Sequence, residues 1–316
     1  MNISKKLVIV IAFCTIFSGC SRVFSSVKDV IHNSNQNMPL DESQKSKDYD
    51  VAKVIGTVDS PEITESSGIV SSRCNENVLW THNDSGDESF IFALNKSGKK
   101  LATYKVANAK NYDWEDIATS KDATGKCFLY IGEIGNNKRT RSEMAVYKVL
   151  EPKVSSEITT STKKSPLNTE PAEAINFKYP NGNYDSESLL INSQNGDIYV
   201  LTKSFVGASE VFKIGKNGVA EKIADLSVPA VPEGFLTAAE ISPDGTRIII
   251  CDYFNAYEIV LPKNAKKFDE IWKEKPLVVE IGERKQGEAI CYSADGKSII
   301  ATSEKKNSPI IEVKRK

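Results

Sequence analysis

Apolar residues fall into short runs broken by turn residues, and from Glu65 to the C-terminus the runs repeat as a pattern of five units. Each unit opens on a polar or acidic residue followed by an aliphatic one: SSGI (66–69), WEDI (114–117), SESL (186–189), LTAAEI (236–241) and GEAI (287–290). A strongly apolar run follows roughly ten residues later, as VLWTHND, FLYIGEI, DIYVLTK, IIICDYF and SIIATSE. A third closes each unit: SFIFALN, MAVYKVL, EVFKIG, AYEIVL and PIIEVK. Glycine- and Val/Ile-rich runs with little helical periodicity predict strands. A period of roughly 50 residues is that of a β-propeller blade, so an all-β propeller is expected, with one central site built from every blade.

The units define blades at 66–106, 113–180, 186–226 and 236–281, and a fifth that has only three strands before the chain stops at Lys316. The segment 50–58, DVAKVIGTV, has strand character and no other partner. Pairing it with the outer edge of the last blade closes a five-bladed ring and covers an exposed edge. A six-bladed ring would need a further blade within 153–183, where one strand is visible. The Ser/Thr/Lys-rich stretch 153–170 reads as a surface loop, and FDEIWKE (268–274) as a helix.

The N-terminus reads as an export signal. Lys5 and Lys6 precede an apolar run, 7–17, that is short for a bilayer span. It ends in Phe17-Ser18-Gly19-Cys20, which resembles a bacterial lipobox with Phe17 in place of the usual leucine. The expected organisation is a lipoprotein signal peptide (1–19), lipidated Cys20 with a flexible polar stalk (20–49), and a single propeller domain (50–316). Several acyl chains on Cys20 would make a stable membrane tether. The expected location is the cell envelope, lipid-anchored, with Ser21 resembling the outer-membrane case in a Gram-negative cell and the domain facing the periplasm or cell surface.

Lys and Arg (41) nearly balance Asp and Glu (42), and a net charge of −1 gives no electrostatic case for nucleic acid. A monomer is expected. Export permits disulfides, and Cys74 and Cys127 occupy equivalent turns of successive blades, so they could meet. Cys251 and Cys291 lie within apolar runs and read as packed hydrophobes. No CxxC or Cys/His spacing suggests zinc.

Aligning the blade openings on their first inward aliphatic residue gives a column: Ser67, Glu115, Glu187, Thr237 and Glu288. In a propeller this column gathers at one channel mouth, with Glu65, Asp113, Asp116, Asp185 and Glu240 nearby in sequence. Two like charges 4 Å apart at an effective dielectric of 20 repel by roughly 4 kcal/mol. The glutamates therefore need protons, a cation or basic side chains. Lys203 is the internal candidate counter-ion, and Ca²⁺ held by Glu115, Glu187 and Glu288 is the candidate cofactor. Three uses stay open: a structural network, a metal site, and a ligand or catalytic site. Asp84, Glu133, Asp252 and Glu304 join Ser67, Lys203 and Thr237 as candidate ligand-binding residues. In the loops 81–89 and 132–141, Asx turns compete with cation binding. His82 beside Asp84 suits either a general base, with Glu115, Glu187 and Glu288 as its catalytic partners, or a structural role. No GxSxG, P-loop or dinucleotide fingerprint is present.

The stretches SSGIVSSR, LWTHNDSGD, DWEDIA, LYIGEIGNN, YPNG, DSESLL and QGEAI resemble a family of bacterial exported β-propellers described as NHL- or WD40-like, over roughly residues 60–305. More distantly, the SGI and GEAI openings are similar to phytase-type esterase-like propellers, and that resemblance implies carboxylates and Ca²⁺. Glu133 and Asn136 depart from the GDIGDN common in the first group. Three functions remain open: an envelope lipoprotein binding a ligand, metal ion or protein partner at an acidic mouth; a Ca²⁺-assisted hydrolase of phosphate esters, esters or lactones; and an envelope assembly scaffold working through its blade edges.

Overall fold

The computed structural model describes residues 41–155, 159–284 and 286–316. The expected signal peptide, Cys20 and the stalk as far as residue 40 lie outside the described residues.

The strands, in chain order, are β1 (Lys53–Thr57), β2 (Ser66–Ser71), β3 (Val78–Asn83), β4 (Phe90–Asn95), β5 (Lys100–Lys105), β6 (Trp114–Lys121), β7 (Cys127–Glu133), β8 (Met144–Leu150), β9 (Leu167–Asn168), β10 (Glu173–Phe177), β11 (Ser186–Ile191), β12 (Ile198–Thr202), β13 (Ser209–Ile214), β14 (Ala220–Leu226), β15 (Ala238–Ile241), β16 (Arg247–Cys251), β17 (Ala256–Val260), β18 (Leu277–Val279), β19 (Ala289–Tyr292), β20 (Ser298–Thr302) and β21 (Pro309–Lys314). Among the described residues they form five sheets, ordered β2-β3-β4-β5-β9, β6-β7-β8-β10, β11-β12-β13-β14, β15-β16-β17-β18 and β19-β20-β21-β1. The inner strands β2, β6, β11, β15 and β19 each contact the next, and β19 returns to β2. The protein is a five-bladed β-propeller.

The apolar runs follow from this arrangement. A blade buries both faces against its neighbours, so its middle strands are apolar on both sides rather than alternating. Five hydrophobic clusters result, one at each blade junction: Trp80 and Trp114 meet between the first two blades, Phe177 and Phe212 between the second and third, and Tyr257 and Trp272 lie between the third and fourth. Tyr292 and Ile249 join the fourth to the fifth, and Phe92 and Ile300 complete the circle.

As expected, β1 is the outer strand of the last blade, antiparallel to β21, with Lys53 opposite Glu312 and Thr57 opposite Pro309. The expected stalk boundary at 49 is too late. Lys45 bridges Val278, and the Ser46 N–H donates to the Val278 carbonyl at 2.8 Å. Tyr49 is buried and donates its hydroxyl to Glu258 at 2.5 Å; Tyr292 (2.9 Å) and Arg247 (3.5 Å) also reach that carboxylate. Tyr49→Phe is expected to lower stability by about 1 kcal/mol, since two donors to Glu258 remain. Urea titration reads the loss, and a neutral result would show that the Tyr49 hydroxyl adds nothing beyond the packing of its ring.

Two further expectations are revised. The 153–170 stretch crosses to the first blade, where β9 runs parallel to β5 and Thr103 N–H donates to Ser161 Oγ at 2.9 Å. Its Ser and Thr side chains supply the bonds that a strand-like pattern would have announced. The 268–274 helix is a 3₁₀ segment, Phe268–Lys273, that buries Ile271 and Trp272. Cys74 and Cys127 form a disulfide between the first two blades, with Cα atoms 6.0 Å apart, while Cys251 and Cys291 are buried and free.

Candidate functional site: an acidic channel mouth

The column of blade-opening residues has a backbone cause. β2, β6 and β11 each carry a register irregularity against the next strand, between Ser66 and Gly68, Trp114 and Asp116, and Ser186 and Ser188. The skipped residue is Ser67, Glu115 or Glu187 in turn. A β-bulge re-aims the side chain of its extra residue, and the same bulge in three blades gives three residues the same placement. In the last two blades Thr237 and Glu288 stand just ahead of β15 and β19. All five are buried.

Glu115 is the hub. One oxygen of each of Asp84, Asp113 and Glu115 lies within 4.8 Å of the others, and the same holds for Glu115, Asp185 and Glu187. Gly135 makes this approach possible: a Cβ there would stand 2.1 Å from Glu115 Oε1 and 2.6 Å from the Asp113 carboxyl carbon. Asp113 and Asp185 each precede a column glutamate by two residues, which in extended chain is the same side. Glu115 accepts no hydrogen bond from any described residue. Asp185 accepts the Asn136 N–H at 2.7 Å.

The expected trio of Glu115, Glu187 and Glu288 is therefore regrouped. Glu288 lies outside both groups, accepting a hydrogen bond from Gln286 at 3.1 Å and bonding to Glu304, which itself pairs with Gln286. Lys203 sits where a counter-ion was expected, 2.9 Å from Glu187, with Tyr253 Oη at 3.4 Å. Its ammonium lies 5.0 and 5.1 Å from the ring centroids of Phe235 and Tyr253.

Burial is the first cause of the shifted acidities. It pushes Asp84 up to about 6, with Glu288 and Asp113 adding repulsion, and Asp113 up to about 6, with Asp185 and Glu133 adding theirs. It lifts Glu187 to about 8 against the pull of Lys203, and raises Glu115 well above the carboxylate range with help from Glu187. For Glu288 burial also pushes up, but the bond to Glu304, then Lys203 and Gln286, outweigh it and hold the group low. Burial opposes charge on Lys203, yet Glu187 and its neighbours raise its pKa.

Several candidates serve the scaffold. Glu133 pairs with Arg141 at 2.5 Å and accepts the Tyr112 N–H at 2.7 Å, so it fixes the segment that carries Asp113. Asp252 caps its own turn through the N–H groups of Phe254 and Asn255 and accepts from Tyr257 Oη at 2.6 Å. Thr237 donates to the Gly287 carbonyl at 2.8 Å. His82 is fully buried edge-on to Trp114, and burial lowers its pKa to about 4. Its Nδ1 lies 2.9 Å from the Asn83 carbonyl, the tautomer in which Nδ1 carries the proton. A neutral, sequestered imidazole is poorly placed as a base.

Asp116 and Glu240 tie the channel together below the mouth. Asp116 accepts from the N–H groups of Ile117 (2.8 Å), Leu189 (2.9 Å) and Ala239 (3.3 Å), joining three inner strands. Glu240 accepts the Tyr292 N–H at 2.6 Å and pairs with Arg73 at 3.1 Å. At the mouth end, Tyr112 precedes Asp113 and Phe205 follows Lys203. They are the two aromatic side chains exposed on the described surface, at 61% and 37%.

No family model matches the chain, and no curated protein matches it. Among solved structures, it is similar to the soluble aldose sugar dehydrogenase of Escherichia coli in its apo form, at 8% identity and a TM-score of 0.42 over 84% of this chain and 99% of that one. A glucose dehydrogenase gives 9% and 0.45 over 83% and 99%, and a gluconolactonase from Xanthomonas campestris gives 10% and 0.43 over 87% and 92%. At these identities and scores the likenesses carry nothing about the site. Its own sheets and side chains define the class: a five-bladed propeller with an acidic mouth.

Proposed function

We propose that this propeller binds a divalent cation, Ca²⁺ foremost, at its acidic mouth, and through it an oxygen-bearing ligand entering past Tyr112 and Phe205. The observation that carries this reading is the pair of carboxylate groups sharing Glu115, set against Lys203, the one buried ammonium among the described residues. Hard carboxylate oxygens suit Ca²⁺, which takes 6–8 oxygen ligands in variable geometry. Asp84, Asp113, Glu115 and Asp185 would hold the ion, with Glu187 shared with Lys203. Gly135 leaves the room their approach needs.

A metal-dependent hydrolase is the second reading, favoured by the five carboxyls of the two groups that share Glu115: one that does not ligate the ion could take a proton from water. A bound cation would supply charge stabilisation of a reacting oxygen. Lipid anchoring at Cys20 and an envelope location belong to the same proposal and rest on the N-terminal sequence.

Thermal melting of the chelator-treated protein tests the cation. Free Ca²⁺ at a hundred times its Kd should add about 2.7 kcal/mol, a rise of roughly 5 °C for a domain of this size. Glu115→Gln should remove most of that rise. A parent melting curve indifferent to Ca²⁺ would sink the reading. A panel of ester, phosphate-ester and lactone substrates then separates binding from hydrolysis.

A further inference from the structure

A second group of metal-ligating atoms lies away from the mouth, around the disulfide. Both sulfurs of Cys74 and Cys127 and a carboxylate oxygen of Glu151 lie within 4.8 Å of one another. Glu151 follows the last residue of β8 and is buried, at 7% exposure. Its Oε1 is crowded: Ser72 Oγ, Asn75 Nδ2 (2.9 Å) and Trp80 Nε1 (2.8 Å) all donate to it. Its Oε2 is equally buried and has no hydrogen-bond partner among the described residues. An orphaned buried carboxylate oxygen is unfavourable by the desolvation it suffers, so its retention in the carboxylate that borders two sulfurs calls for a use.

We infer that Cys74, Cys127 and Glu151 form a zinc site when the disulfide is open, so that a disulfide and a zinc ion are alternative staples between the first two blades. Two thiolates and a carboxylate are ligands Zn²⁺ accepts, and three protein ligands leave a fourth tetrahedral position for water. Thiolates exclude the hard cation proposed for the mouth. Two sulfurs on one zinc stand roughly 3.8 Å apart, a spacing that side-chain rotation supplies with Cα atoms 6.0 Å apart. The anchor is rigid because Ser72, Asn75 and Trp80 of the first blade fix the carboxylate of the second.

The site is reachable at its Cys74 end. Cys74 is exposed and lines a cleft of about 770 Å³ between the first and fifth blades. A dithiol reductant arriving there gives two electrons and two protons to the disulfide and leaves as its own disulfide. Zn²⁺ then takes the place of the two thiol protons, which pass to solvent. No sequence spacing announces such a site, because its three ligands come from separate turns of two blades.

The test uses the full-length chain reduced with a phosphine, which adds no thiol of its own, and Co²⁺ as the spectroscopic probe for zinc. The reduced protein should show thiolate-to-cobalt charge transfer that saturates at one equivalent and disappears on adding Zn²⁺; the oxidised protein should show none. Carboxylates at the mouth give no such band, so Co²⁺ bound there does not interfere. Glu151→Gln, and Glu151→Asp should the first variant fold poorly, should weaken Co²⁺ binding in the reduced chain by at least about tenfold. Cys74→Ser should abolish the band. A reduced parent without the band, or Glu151 variants with the parent's affinity, would overturn the inference.

Discussion

Asp116→Ala is expected to lower folding stability by roughly 3–6 kcal/mol, the largest effect of any single substitution considered. The side chain is fully buried, and its two oxygens accept three backbone N–H groups from three different blades. Burial pushes its carboxyl well up, while the amides of Leu189, Ala239 and Ile117 pull the other way. Inner strands face the channel and have no further strand on that side, so the Leu189 and Ala239 amides lose their acceptor together. Each buried donor left unsatisfied costs about 1–3 kcal/mol, and the vacated volume adds to that. Asp116→Asn should fall between parent and alanine, because it keeps the shape and one acceptor oxygen. Urea denaturation measures the series. A loss below about 1 kcal/mol for alanine would mean that water in the channel rehydrates the amides.

Lys203→Met is expected to be the second largest effect, and it should depend on pH. Removing one partner of a buried ion pair typically costs about 3–5 kcal/mol, because the other charge stays buried without compensation. Here the stranded group is Glu187, with Glu115 and Asp185 close by. The sign follows from the direction of the shift. The folded Glu187 carboxyl is lifted to about 8, above its unfolded value, so the stability it contributes is complete below that unfolded value, near 4.3. It is lost as pH rises through the folded value. Without its ammonium partner the lift grows. The metal-free Lys203→Met protein should therefore show the full deficit at pH 8 and recover much of it at pH 5, where Glu187 and Glu115 carry protons. Equal deficits at both pH values would show that the lysine acts by packing against Phe235 and Tyr253 rather than by charge.

The ring was legible in the chain because each blade buries both faces of its middle strands, which turns them into apolar runs at a nearly constant period. Closure by β1 was legible too, since one strand was spare and one blade was short. The column of Ser67, Glu115, Glu187, Thr237 and Glu288 appeared because bulges recur at the same point of the repeat. What the bulges do was hidden: an extra residue leaves no mark in an alternating pattern, so the regrouping around Glu115 with Asp84, Asp113 and Asp185 came only from the folded backbone. A pairing of Asp or Glu two residues ahead of the column was visible and would have indicated it. Gly135 carries no signal beyond being a glycine in a polar loop. Glu133 and Asp252 read as ligand-binding because an acceptor committed to backbone amides has the same letter as a free one. Docking of residues 45–49 rests on backbone bonds, one tyrosine and the ion pairs Lys45–Glu280 and Asp48–Arg315, none of which composition discloses.

Closure by the first strand also has a consequence for how the molecule is made. Synthesis proceeds from the N-terminus, so β1 emerges before any blade, and its partner β21 follows every other strand of the five sheets. The first four blades can pair internally as they are produced. Through all of that time β1 is an unpaired strand bearing the exposed side chains Val51 and Val54 on or beside it. Another nascent chain can offer the same edge that β21 will later offer, so assembly carries a period of exposure to exchange between copies. Anything that delays β21 lengthens that period, and its loss leaves β1 and β20 with open edges for good.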